Sequence, residues 1–149
     1  TILAGRRIND GMGAFVATKL VKLLLASGKE GRGLRVGVLG LTFKEDVPDI
    51  RNSRVPDILH ELREFGIEPL IHDPHASADE VAAEYGLALA SLDAFEKLDA
   101  LVLAVSHRAY REMPLEALFG MLKPAGLLVD VKACIPRDRI PSGLAYWSL

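Results

Sequence analysis

The loop that follows the apolar run ending at Gly40 carries two cations, Lys44 and Arg51. An ammonium and a guanidinium fixed at such a place suit an anionic, above all a phosphorylated, ligand. Two further groups follow later apolar runs: His107 after residues 101–105, and Lys132 after residues 127–131. In an open α/β sheet those positions share one edge, so Lys44, Arg51, His107 and Lys132 could approach one site. A plainer reading stands beside it. Lys44 and Arg51 could be solvated loop charges paired with Glu45, Asp46 or Asp49, and Lys132 a surface lysine.

Other reactive side chains are less persuasive. His72 and His75 flank Asp73-Pro74, but nothing else supplies recognisable metal ligands, and a strand-end turn explains them. His107 is assigned a structural role in preference to a ligand contact. His60 lies beside the core face of a helix, and Tyr146 and Trp147 suit edge packing. Cys134 is the sole cysteine, which excludes a disulfide framework.

The elements that must position these groups alternate. Strands are expected at 34–39, 68–72, 87–89, 101–105 and 127–131, with a last edge strand at 144–147. Helices are expected at 2–27, 53–65, 78–85, 92–97 and 115–121. In the first helix, Ile8, Met12, Val16, Leu20, Leu23 and Leu24 recur at helical spacing. In the second, Val55, Ile58, Leu59, Leu62 and Phe65 share a face, with Gly66 as the stop. The helix beginning near Ser53 should add unpaired N–H groups to the site. Alternation of this kind gives an α/β fold, a Rossmann-like doubly wound parallel sheet of about six strands behind a long N-terminal helix, in order 3-2-1-4-5-6. Gly37 and Gly40 do not make the G-x-G-x-x-G fingerprint, so the sheet should not hold a dinucleotide in the usual way.

The chain has 149 residues, enough for one well-cored domain, and its net charge of −2 gives no reason to expect nucleic-acid binding. No apolar run is long enough to span a bilayer. Low cysteine content points to the cytoplasm. Starting at Thr1 inside a helical pattern, the chain reads as a piece of a longer protein.

Phe43-Lys44, Asp49, Arg51 and Ser53 resemble the F-K-x-x-x-x-D-x-R-x-S signature of the UDP-glucose/GDP-mannose dehydrogenase family, at the start of its C-terminal, UDP-binding domain. Arg7-Ile-Asn-Asp-Gly-Met12 is similar to the start of that family's central helix. Asp73-Pro74, Ala104-Val-Ser-His107 and Asp130-Val-Lys132 match further motifs in order. The branch most similar oxidises UDP-N-acetylhexosamines for bacterial surface polysaccharides.

The resemblance implies that residues 1–28 are the end of a central dimerisation helix, 29–33 a linker and 34–149 the UDP-binding domain. It implies that Phe43, Lys44 and Lys132 contact a UDP-sugar, and that Arg51 reaches across a domain cleft toward NAD, which another domain mainly binds. The implied reaction is a two-step oxidation of a sugar C6 alcohol to a carboxylate, through a cysteine thiolate lying before the central helix. Cys134-Ile-Pro-Arg-Asp138 looks like that cysteine's segment but lacks its glycines and stands in the wrong order. The chain alone is therefore expected to be inactive, with no catalytic residue and no metal of its own. The competing expectation is a non-catalytic module that dimerises through its first helix and binds no nucleotide. A dimer, with no nucleic-acid or membrane partner, is expected under either.

Overall fold

The computed structural model describes residues 2–28, 33–51 and 53–149, with side chains from residue 11 onward. The expected linker at 29–33 lies outside the described residues except for Gly33, as do the side chains of Arg7–Asp10, Ile8 among them.

Five strands, β1 (Val36–Leu39), β2 (Leu70–His72), β3 (Leu98–Leu103), β4 (Leu122–Asp130) and β5 (Ala145–Ser148), form one sheet in order β2-β1-β3-β4-β5. Every neighbouring pair is parallel. The central strands are buried on both faces, which is why they read as continuous apolar runs. Val36, Val38, Ala100, Val102, Leu127 and Val129 face one core. Leu39, Leu101, Leu103 and Leu128 face the other. The first core is covered by α1 (Ile2–Ala26), α2 (Val55–Glu64) and α3 (Ala78–Tyr85), the second by α4 (Arg108–Arg111) and α5 (Leu115–Phe119).

The expected third strand at 87–89 does not form. Leu87 is buried, but among the described residues it is Ala90, just past the segment, whose N–H reaches the sheet, at the Ile71 carbonyl. The sheet therefore has five strands instead of about six, and removing the third from the expected order leaves the order observed. The expected helix at 92–97 shortens to a 3-10 turn at Leu92–Ala94.

On α1, Val16, Leu20 and Leu24 are buried as their spacing requires, joined by Ala17 and Val21. Gly13 lets α2 come close: a Cβ there would lie 2.5 Å from Asp57 Cβ. On α2, Val55, Ile58, Leu59 and Leu62 are buried, with Pro56 in the first turn where no N–H is missed. Phe65 departs from expectation and is 44% exposed, because the chain leaves the helix there and Ile67 takes the buried place. His60 is exposed beside Glu64. Among the described residues, no helix is long and apolar enough to cross a membrane.

Candidate functional site

The carboxyl ends of β1, β2, β3 and β4 feed loops along one edge of the sheet. The β1 loop turns at Gly40, whose φ of +97° only glycine adopts without strain. The turn brings Leu41 and Thr42 over the end of β2, where Asp73 collects their N–H groups on Oδ2 at 2.6 and 3.1 Å. Its Oδ1 accepts from His75 and Ala76 N–H, which is the expected strand-end turn.

His107, at the end of β3, completes this cluster with no solvent exposure. Its Nδ1 accepts from Asp46 N–H at 2.9 Å, so the proton of the neutral ring sits on Nε2. Nε2 lies 2.8 Å from Asp73 Oδ2 and 3.1 Å from Thr42 Oγ1. Burial alone would push the Asp73 carboxyl up. Hydrogen bonds from His107 and from Leu41 and His75 N–H outweigh it and hold that carboxyl well below the usual range. The structural role expected of His107 is what its contacts provide.

With the loop held this way, Phe43 and Lys44 face a cleft of about 530 Å³. Lys132, just beyond β4, stands on the cleft too, and Ala104, Val105, Val131 and Ile58 give it apolar walls. Thr42, Ser53, Arg54, Val55 and Met12 complete the lining. Phe43 is 54% exposed, a large aromatic face offered to solvent. Among the described residues, neither Lys44 nor Lys132 has a carboxylate partner. Two ammonium groups with no described carboxylate beside them, on an apolar-walled cleft, favour an anion.

The expected unpaired N–H groups of α2 are absent from its first positions. Val55 N–H bonds to Ser53 Oγ, Pro56 has none, and Asp57 N–H bonds to the Arg54 carbonyl. The positive charge on the cleft therefore comes from side chains and not from the first amides of α2.

Arg51 does not join the lysines. It lines a separate opening of about 540 Å³ with Pro48, Asp49, Ile50 and, from α3, Glu80, Ala83 and Glu84. Its Nε is 3.3 Å from Asp49 Oδ1, and its side chain is 79% exposed. The pairing with Asp49 that the plainer sequence reading allowed is present for Arg51; the corresponding pairing of Lys44 is not among those described.

Cys134 Sγ donates to Asp130 Oδ1 at 3.5 Å. Desolvation, and then the Asp130 carboxylate, push its thiol up to about 11, which leaves little thiolate at neutral pH. Asp46, His75 and His107 bring one ligand atom each within 4.8 Å of one another. Both His107 nitrogens are already engaged, so the trio offers a metal too few donors.

Thr42 and Asp73 were not singled out for the site from the sequence. The signal was present in the strand order: β2 and β3 flank β1, so the residues ending them face each other across the β1 loop.

A family model described as "UDP-glucose/GDP-mannose dehydrogenase family, UDP binding domain" matches residues 37–137. UDP-N-acetyl-D-glucosamine 6-dehydrogenase of Pseudomonas aeruginosa is 41% identical over 138 residues, which are 93% of this chain and 33% of that protein. Protein CapL of Staphylococcus aureus is 38% identical over 148 residues, 99% of this chain and 35% of its own length. The chain thus spans about a third of the curated relatives it matches. The fold is shared with the crystal structure of NDP-N-acetyl-D-galactosaminuronic acid dehydrogenase from Methanosarcina mazei Go1. The TM-score is 0.86 at 24% identity, over 98% of this chain and 30% of that one.

Proposed function

The chain belongs to the UDP-glucose/GDP-mannose dehydrogenase family, as its UDP-binding domain, and on that premise we propose that it is the nucleotide-sugar-binding part of an NAD-dependent UDP-sugar 6-dehydrogenase. The observation that carries this reading is the pair of lysines, Lys44 and Lys132, without a carboxylate partner among the described residues, on one apolar-walled cleft at the carboxyl edge of the sheet. A diphosphate brings the negative charge those ammonium groups lack. Charge-assisted bonds to it are worth about 1.5–3 kcal/mol each. The exposed ring of Phe43 supplies a flat apolar surface beside them.

The substrate proposed is a UDP-N-acetylhexosamine, oxidised at C6 to the uronate for surface polysaccharide synthesis in the cytoplasm. The likeness to the Pseudomonas enzyme supports this choice. NAD would supply the hydride acceptor. The residues present suit a secondary contact to it: Arg51 extends a guanidinium into solvent, and no glycine fingerprint follows β1. Its main binding site, and the nucleophilic cysteine, are assigned to the rest of the protein. Cys134 is given a structural role in this reading, because desolvation and the Asp130 carboxylate push its thiol up to about 11. In the proposed division, residues 1–28 belong to a dimerisation helix, on which Phe15 and Leu25 are 55% and 49% exposed.

The test is turnover. The full-length protein given UDP-N-acetylglucosamine and NAD should form two NADH per uronate, while residues 1–149 alone should form none. NADH formation by the chain alone, or no oxidation of any UDP-hexose by the full-length protein, contradicts the reading.

A further inference from the structure

The buried His107 ring touches the two ends of one short segment. Its Nε2 edge meets Thr42 Oγ1 and Asp73, and its Nδ1 receives Asp46 N–H. Thr42 Oγ1 in turn donates to the Lys44 carbonyl at 3.0 Å. Phe43 and Lys44, which face the cleft, therefore lie on an arch whose two feet are clamped by one imidazole. The outer foot is tied a second time, because Asp46 accepts from Arg108 N–H and from the Arg111 guanidinium. Asp46 holds a φ of +63°, a left-handed conformation uncommon outside glycine and one that aspartate adopts more readily than most residues.

We propose that His107 is a positioning residue for nucleotide binding: it fixes the 42–46 arch so that Phe43 and Lys44 are presented to the cleft in one geometry. This deepens the UDP-binding reading and rests on it. His107 is fully buried and does not line the cleft. Its contribution is the ordering cost it removes, since an arch already held loses little freedom when a phosphate binds. Arg51 lies beyond the clamp. The far limb of the loop is tied instead by Phe43 N–H to the Asp49 carbonyl and by the Tyr85 hydroxyl to the Ile50 carbonyl.

The clamp can be opened one foot at a time in the full-length protein. His107→Asn keeps an acceptor near the Nδ1 position for Asp46 N–H and loses the bond to Asp73. His107→Gln keeps a donor near Nε2 and loses the Asp46 bond. His107→Leu loses both. UDP affinity is read by calorimetric titration at a temperature where each variant is folded, together with KM for the UDP-sugar, KM for NAD and kcat. Asp99→Asn serves as a control, since Asp99 is a buried carboxylate at the opposite end of the sheet.

Affinity for UDP should fall about tenfold in His107→Leu and less in the two single-foot variants. KM for NAD should stay unchanged. Asp99→Asn should lose thermal stability with no change in UDP affinity. If His107→Leu does not fold, the Asn and Gln variants carry the comparison. UDP bound by folded His107 variants as tightly as by the wild type overturns the proposal, whatever the loss of stability. Failure of the wild type to bind UDP contradicts the functional reading instead, and is thereby distinguished.

Discussion

The cleft at Lys44 and Lys132 and the opening at Arg51 are built on the same loop and have similar volumes, about 530 and 540 Å³. Their charge is arranged in opposite ways. In the first, two lysines stand on apolar walls with no carboxylate partner among the described residues. In the second, one arginine stands among Asp49, Glu80 and Glu84 and is already paired with Asp49. The cleft leaves a charge for a ligand to complete, whereas the opening balances its own. On the proposed function, the anion is met in the cleft by side chains of this chain. At Arg51 it must compete with Asp49, which fits the secondary cofactor contact proposed for that residue.

The largest effect expected from this contrast is at Lys132. Lys132→Met in the full-length protein should weaken UDP about 10–100-fold and leave uridine, which has no phosphate, unaffected. Equal weakening of both ligands would make the cleft a nucleoside pocket and not a phosphate site. Arg51→Met should raise KM for NAD about tenfold, in line with the loss of one charge-assisted contact, while UDP affinity holds. A fall in UDP affinity there would merge the two openings into one site.

Gly40→Ala strikes the support that both openings share. The positive φ, and a Cβ only 2.5 Å from Val105 Cβ, should cost about 1–3 kcal/mol of stability, read from denaturant unfolding.

A smaller effect is set by pH. Burial lowers the pKa of His72, which sits against the Tyr110 hydroxyl. The unfolded chain takes up the proton first. The part of the stability that His72 contributes is therefore full above about pH 6.5 and declines as the pH falls below that value. His72→Gln should remove this part of the slope in thermal melts at pH 5–8; an unchanged slope would assign it elsewhere. The smallest effect is at Cys134. Cys134→Ala should retain most activity of the full-length protein, and complete loss would refute its structural assignment.

Much of the fold was legible because burial leaves a pattern. Buried strands give unbroken apolar runs, and α2 gives a face with the period of a helix. Leu87 shows the limit of that signal: apolar character reports burial, not pairing, and a residue can pack under a sheet edge without joining the ladder. Lys44, Lys132 and Arg51 were identifiable by type and by position after strands. Their separation into two openings was not, because it depends on the direction the loop takes after Gly40. That direction is set by Asp73 and His107, which are 34 residues apart and meet only once the sheet has formed. Similarly, the free amides expected at the start of α2 are consumed by Ser53 and by the local turn, which spacing alone does not reveal.

The most direct test of the account is titration of UDP into the full-length protein and into its Lys44→Met/Lys132→Met variant at low salt. The account predicts saturable one-site binding to the wild type and at least a hundredfold weaker binding to the variant, from the loss of two charge-assisted contacts. Binding of equal strength to both, or none to the wild type, would contradict it.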